Sequence, residues 1–348
     1  METESAISVV FISAVAALAF TATVTMTIQN NRPVGWDYRY HVNIAEAYVQ
    51  GDFHAIATNY GLYPPLFHLM LAGFIVLGIL LPASMLLQVF FFPLAVLSVA
   101  FLAWKRLGPR QAAMSAAILI GSVAMLDRSQ VIPQSLTMIF VPLGLLFFLS
   151  RRKWPALGCV AVTLYSHGVY GFHLLGAMLL HAWRSRDRDY RKMAGCGIAL
   201  LIPIIILLAL SLPQAASFAS SVTNPQEQAM LADPIKFVLY MGVVPFIMLP
   251  VSLALTAWKR RLAGQEIVMI SLYWLFLLTP LLGVELDRFA SFAVQPVAIL
   301  AAASLGMALR DKKRFWTALI IIFIVSFATA YIPMLRIFSG YGGMRLDV

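Results

Sequence analysis

The sequence predicts an all-α integral membrane bundle, with about eleven transmembrane helices and with juxtamembrane helices in its first external loop. Three observations predict it. Hydrophobic residues make up 61% of the chain and charged residues only 11%, against roughly 45–50% and 25% in soluble domains. No polar block is long enough to fold as a separate soluble unit, so residues 1–348 form one domain in which apolar runs pack on one another. The basic residues, which give a formal net charge of +10, gather in short clusters between apolar runs. That is a topology pattern, so the surroundings are membrane lipids and nucleic acid is not a partner.

The first spanning helix covers residues 6–28. The preceding METES carries no positive charge and the run is long enough to cross, which favours a retained helix over a signal peptide. Residues 29–82 follow as the first external loop, and "GWDYRYHVNIAEAYVQGDFH" (35–54) is its polar, aromatic centre. From Tyr38 to Gln50 the residues Tyr40, Ile44, Ala47 and Tyr48 recur at three- and four-residue steps, with Gly51 as the stop. This spacing predicts a short amphipathic helix lying on the membrane. Trp36, Tyr38, Tyr40, Tyr48, Tyr60 and Tyr63 suit the headgroup layer.

Between Phe53 and Trp104 there is no Asp, Glu, Lys or Arg, and two full helices would fit, "YPPLFHLMLAGFIVLGILL" and "ASMLLQVFFFPLAVLSVAFLAW". Two crossings would put segment 35–54 on the face of the basic clusters; one crossing puts it opposite. The second arrangement is preferred, with the run after Tyr63 as a juxtamembrane helix entered sharply at Pro64-Pro65, since prolines suit a first turn.

Five basic clusters order the remainder: Lys105 to Arg110, Arg151 to Lys153, Arg184 to Lys192, Lys259 to Arg261 and Arg310 to Arg314, together 18 of the 25 Lys and Arg. Each interval between clusters has room for two crossings, with hinges at Asp127 to Gln134, Ser166 to Gly168, Pro213 to Asp233 and Val284 to Arg288. All five clusters are expected on one face, which the positive-inside rule makes cytoplasmic. A last helix, 315–333, leaves a tail of some fifteen residues outside. The loop from Pro213 to Lys236 reads equally as a cover over a cavity or as a linker. Cys159 and Cys196 fall in apolar runs and assign no redox compartment.

Asp37 has two readings. It can N-cap the amphipathic helix, or it can serve as a catalytic carboxylate with His41, one helical turn on, reaching the same site. At this point the residues resemble a family. A first helix, an external loop opening on an Asp, "YH" after it, an amphipathic helix ending in "GD", and then "YPPLFH" are similar to the opening of the GT-C class of integral membrane glycosyltransferases. That class includes oligosaccharyltransferases, protein O-mannosyltransferases and aminoarabinose transferases. The resemblance is specific over about residues 7–110; beyond them it rests on helix number and on "DRFASFAVQPVAIL" (287–300).

The resemblance implies a glycosyltransferase of a bacterial or archaeal cell membrane, working on the external face. Its donor would be a sugar on a polyprenyl phosphate, and its acceptor is left open. Asp37 becomes the catalytic base. Arg288 and Arg128 become donor phosphate ligands, because a guanidinium forks onto two phosphate oxygens. The alternative for Arg288 is an interfacial pair with Glu285 or Asp287. A divalent cation is the one cofactor the resemblance brings, but the second acid of the class does not align well with Asp127, which pairs equally well with Arg128. His41, Asp127, His167, Tyr63 and His68 are candidate acceptor or site-lining residues; each histidine also reads as a hydrogen-bonded interfacial residue, as does His173. The short tail points to lipid, glycan or simple hydroxyl acceptors rather than protein N-glycosylation.

Two other classes remain. A transporter or flippase expects ionisable residues near the bilayer midplane, whereas the acids here (Asp37, Glu46, Asp52, Asp127, Glu227, Asp233, Glu285, Asp287) fall at external helix ends. An envelope-glycan ligase or polymerase of another class would lack the Asp in the first loop. The topology predicts that reporters fused near Phe53 and near Val284 occupy the same outer compartment and one near Lys105 the opposite one. Finding Phe53 and Lys105 in one compartment would rule the juxtamembrane reading out.

Overall fold

The computed structural model describes residues 2–31, 33, 37–59, 63–127, 130–206, 233–258, 264–283 and 286–341. Among them the chain is built from α-helices joined by turns, with no strand. Five helical stretches are long and apolar enough to cross a membrane: Thr3–Asn30, Leu80–Leu107, Gln265–Leu282, Arg288–Ala308 and Lys312–Ala330.

The chain opens with α1 (Glu2–Asn30), then three short helices, α2 (Tyr38–Gln50), α3 (Phe53–Asn59) and α4 (Pro65–Val76), and then α5 (Leu80–Leu107). The amphipathic helix has the expected bounds. Gly51 ends it at φ 70, and its N–H returns to the carbonyls of Ala47 and Tyr48. A side chain there would be strained, hence the glycine. Its buried face is His41, Ile44, Ala45 and Ala47, turned slightly from the expected stripe so that His41 points inward while Tyr40 and Tyr48 are only half-buried. The sequence reading did not anticipate α3, which Asp52 starts by accepting the Ala55 N–H at 2.9 Å. Pro65 is the first residue of α4. At about 1.5 Å per residue α4 is roughly 18 Å long, well short of the ~30 Å hydrocarbon core. By itself it is too short to cross, whereas α5 is long and apolar enough to do so.

The rest shuttles between two ends: α6 (Pro109–Leu119) continues through a turn into α7 (Val123–Asp127), and α8 (Pro133–Leu149), α9 (Lys153–Ser166), α10 (Gly168–Ser185) and α11 (Arg188–Ala199) follow. After the undescribed stretch 207–232 come α12 (Pro234–Met241), α13 (Val243–Trp258), α14 (Gln265–Leu278) with a 3-10 turn (Thr279–Gly283), α15 (Leu286–Ala308) and α16 (Lys312–Tyr341). The external loop expected from Pro213 to Lys236 lies largely outside the described residues.

One end is tied by charge. Glu4 takes Arg110 in a two-point contact and Lys312 at 3.0 Å. Arg106 reaches Ser150 at 3.1 Å and Glu266 at 4.0 Å, and Arg151 reaches Asp187 at 2.7 Å. These bonds gather the N-terminus and the first, second, third and fifth basic clusters at one end, as expected. The fourth, Lys259 to Arg261, lies outside the described residues, but Gly264 beside it is packed against the Arg106 carbonyl.

The middle is held by small side chains. For α15, 89% of its apolar stretch is buried, which makes it the axis of the bundle. Ala290, Ala293, Ala298, Ala301 and Ala302 on it, and Ala112, Ala113, Ala116 and Ala117 on α6, are fully buried. Where the surroundings are as apolar as leucine, close backbone approach replaces hydrophobic burial as the source of helix association. The closest approach is at Gly242, φ 100, where a Cβ would sit 2.2 Å from the Gly121 carbonyl oxygen. It joins the α12–α13 break to the α6–α7 break and sets the end of the bundle at which Asp127 lies.

Candidate active site

The end opposite the charge ties carries the candidate residues. Asp37 stands immediately before α2 at φ −94, ψ −2, and its side chain makes no capping bond. A cap reaches the helix N–H groups from an extended backbone. Asp187 (φ −72, ψ 130) and Asp233 (φ −71, ψ 114) have that conformation, and their carboxylates accept the N–H groups of Asp189 and Ile235. Asp37 is helical instead: its main-chain carbonyl accepts the His41 N–H at 3.0 Å and its carboxylate is exposed. The capping reading of Asp37 is therefore overturned.

His41 turns the other way, 2% exposed, with Nδ1 3.0 Å from His68 Nε2. His68 is fully buried, and its Nδ1 lies 3.2 Å from the Pro64 carbonyl oxygen. A carbonyl can only accept, so His68 Nδ1 carries the proton. Its bare Nε2 must then take the Nδ1–H of His41, which leaves the lone pair of neutral His41 on Nε2. Burial, and then the neighbouring His68, hold His41 well below the ordinary histidine range; burial brings His68 to about 4, against the pull of the Pro64 carbonyl. Both rings are neutral at pH 7.

Tyr63 binds this pair to the rest of the bundle. Its ring stands edge-on to His41 at 5.5 Å, His68 at 5.4 Å and His167 at 6.1 Å between centroids. His167 sits at the α9–α10 hinge, buried, 4.6 Å from the Tyr170 ring, and Tyr170 stacks on Phe292. Phe292 is one helical turn after Arg288 on α15, so the two share a face; Arg288 is half-buried at the start of that helix. At the same hinge a Cβ on Gly171 would lie 2.5 Å from the Leu164 Cα, so the glycine lets α9 and α10 close on each other.

His41, His68, Tyr63 and His167, spread over the first loop and a distant hinge, are thus one cluster. Asp37 is one turn from it along α2, and the helix of Arg288 joins it through Phe292. Asp127 is held apart: the Tyr240 hydroxyl donates to Oδ2 at 2.6 Å and the Gln130 amide to Oδ1 at 2.8 Å. Its expected partner Arg128 lies outside the described residues, as do Glu285 and the side chain of Asp287. His173 is turned to the neighbouring helix, with its Nε2 3.0 Å from the Leu277 carbonyl oxygen. Sequence reasoning missed Tyr170, Phe292, Gln130 and Tyr240. Only Gln130, three residues from Asp127, carried a local signal. Among the described residues no group of three or more His, Cys, Asp or Glu side chains converges as a metal site.

No protein-family model matches the chain, and no curated protein sequence matches it. Solved structures do. ArnT from Cupriavidus metallidurans bound to undecaprenyl phosphate superposes with TM-score 0.54 and 18% identity, over 90% of this chain and 62% of that one. Its apo form gives TM-score 0.54 at 17% identity, over the same 90% and 62%. The Archaeoglobus fulgidus oligosaccharyltransferase, in complex with Zn and sulfate, gives TM-score 0.62 and 16% identity over 92% of this chain and 52% of that one. The chain has the GT-C fold. It spans 62% and 52% of the lengths of these neighbours.

In this fold α2 is fastened to α4 through two neutral imidazoles, and that makes its attachment pH-dependent. Both histidines titrate lower in the folded chain than the ordinary value of about 6.5, so the unfolded chain binds protons first as the pH falls. Stability is full above about pH 7 and is lost from about 6.5 downward, by up to roughly 1.4 kcal/mol per pH unit for each histidine, until His68 itself protonates near 4. Thermal melts of the wild type should fall steeply between pH 6.5 and 4.5, and those of the double variant His41→Gln, His68→Gln much less. Parallel curves would show that the pair does not titrate in this way.

Proposed function

We propose that the chain is a membrane glycosyltransferase that moves a sugar from a polyprenyl-phosphate donor to an acceptor on the external face. The observation that carries this reading is the exposed carboxylate of Asp37, freed from helix capping, in the first loop of a GT-C fold. The undecaprenyl phosphate held by the neighbouring ArnT structure supports the class of donor.

The transfer divides among few groups. Asp37 takes the proton of the acceptor hydroxyl as that oxygen bonds to the anomeric carbon. The bond from this carbon to the phosphate oxygen breaks, its electrons stay on the phosphate, and the polyprenyl phosphate leaves as an anion. Arg288 is the cation we assign to it, since a guanidinium stays charged in a poorly hydrated site and grips two oxygens at once. His41, His68, Tyr63 and His167 form the floor that holds α2, and so Asp37, against α4 and the α9–α10 hinge. A transport reading asks for ionisable groups inside the bundle; among the described residues the buried ones include histidines, and no Asp, Glu, Lys or Arg is buried.

Because Asp37 makes no cap, Asp37→Asn should leave the melting temperature unchanged, within about 0.5 kcal/mol. An amide cannot accept the proton, so sugar transfer from a polyprenyl-phosphate donor should fall by roughly 10²–10⁴-fold. Wild-type transfer by this variant would remove Asp37 as the base and with it the main support for a glycosyltransferase.

Arg288→Lys keeps the charge and loses the planar fork. Donor binding in nanodiscs should weaken by about tenfold, as expected for a lost bidentate contact. Unchanged donor affinity and rate would take Arg288 out of the site.

A further inference from the structure

An open groove of about 170 Å³ runs between α1 and α5, lined by Val9, Ile12 and Ser13 on one side and Leu97, Phe101 and Trp104 on the other. It lies at the charge-tied end, away from Asp37. Val9 is about 7.5 Å along the helix from Glu4, and Trp104 directly precedes Lys105. From Leu97 to Lys105 the groove follows α5 for roughly 12 Å, less than half of the ~30 Å hydrocarbon core. It therefore belongs to a single leaflet, the one under the basic clusters.

The groove must be filled, because an empty slot beside Val9 and Phe101 forfeits the dispersion contacts of its lining. Hydrocarbon from the bilayer fills it with no hydrophobic gain, since lipid tails are as apolar as its walls. Which lipid stays is then decided at the mouth. The ammonium of Lys105 lies 5.5 Å from the centroid of the Phe101 ring, one turn below on the same face, so the cation caps the groove itself. Lys105 is exposed and, among the described residues, makes no ion pair, whereas Arg106 and Arg110 are committed to Glu266 and Glu4.

We propose that this groove is a binding site for an anionic phospholipid of the basic-end leaflet, with one acyl chain between α1 and α5 and the phosphate at Lys105. The site is separate from the donor site and does not depend on the glycosyltransferase reading.

Trp104 in the wall supplies the probe. The protein would be reconstituted in phosphatidylcholine vesicles containing phosphatidylglycerol brominated in its acyl chains, and the fluorescence of a Trp104→Phe variant subtracted from that of the wild type. Quenching of Trp104 should saturate at a low mole fraction of brominated phosphatidylglycerol. Lys105→Gln should raise the half-saturating fraction about fivefold, equivalent to about 1 kcal/mol. Ser13→Phe, at an exposed groove position, should fill the slot and abolish saturation without disturbing the core. Equal quenching by brominated phosphatidylcholine, or an unshifted Lys105→Gln curve, would overturn the site in favour of unselective bulk lipid. No quenching of Trp104 by either lipid would overturn it in favour of a protein cover.

Discussion

Hydrocarbon cannot hydrate a charge, and the arrangement of this chain follows from that constraint. Among the described residues the buried polar side chains are Ser, Thr, Gln and His, with no Asp, Glu, Lys or Arg. The charged side chains described here accordingly stay out of the core and meet at the helix ends. At one end of the bundle, oppositely charged side chains from α1, α5, α6, α14 and α16 meet in a shared set of ion pairs, and those pairs fasten together helices that the apolar middle would let slide. Alanine and glycine contacts do the equivalent work in the middle, where backbones approach closely and buried side chains such as Gln295 bond across helices.

At the other end the same constraint shapes the candidate active site. Two imidazoles are buried side by side because they are neutral there, and the Pro64 carbonyl decides the tautomer of both. The pair needs no counter-ion, so it joins α2 to α4 without placing a second charge near Asp37. Asp37 itself stays outside the packed cluster, on the solvent side of α2, with the oxygens that a cap would have used still available to a substrate. Asp127 shows the contrast: similarly placed at a helix end, it has both oxygens occupied by Tyr240 and Gln130. Two carboxylates near one end of one bundle thus have different prospects: one is exposed and makes no cap, the other is half-buried against Tyr240 and Gln130.

The two ends also separate two dealings with lipid. A polyprenyl-phosphate donor is assigned to the end of Asp37 and Arg288. The groove capped by Lys105 is assigned to an anionic lipid of the leaflet beneath the basic clusters.

Much of this was legible in the residues, wherever one local rule governed. Composition excludes a soluble domain. The step pattern of Ile44 and Ala47 with Gly51 fixes α2 to the residue, because helix periodicity and a left-handed stop act within one element. Pro64-Pro65 starts α4 for the same reason, and the spacing of the basic clusters sorts the helix ends. Tertiary structure alone decided the rest. Whether Asp37 caps its helix depends on one backbone torsion, and spacing cannot report it. That His68 meets His41, that Tyr63 meets His167, and that Tyr240 reaches Asp127 from 113 residues away follow from how helices pack. A side chain's partner across the bundle is set by rotation and register between helices, which the packing of many small residues determines together and no single stretch of sequence records.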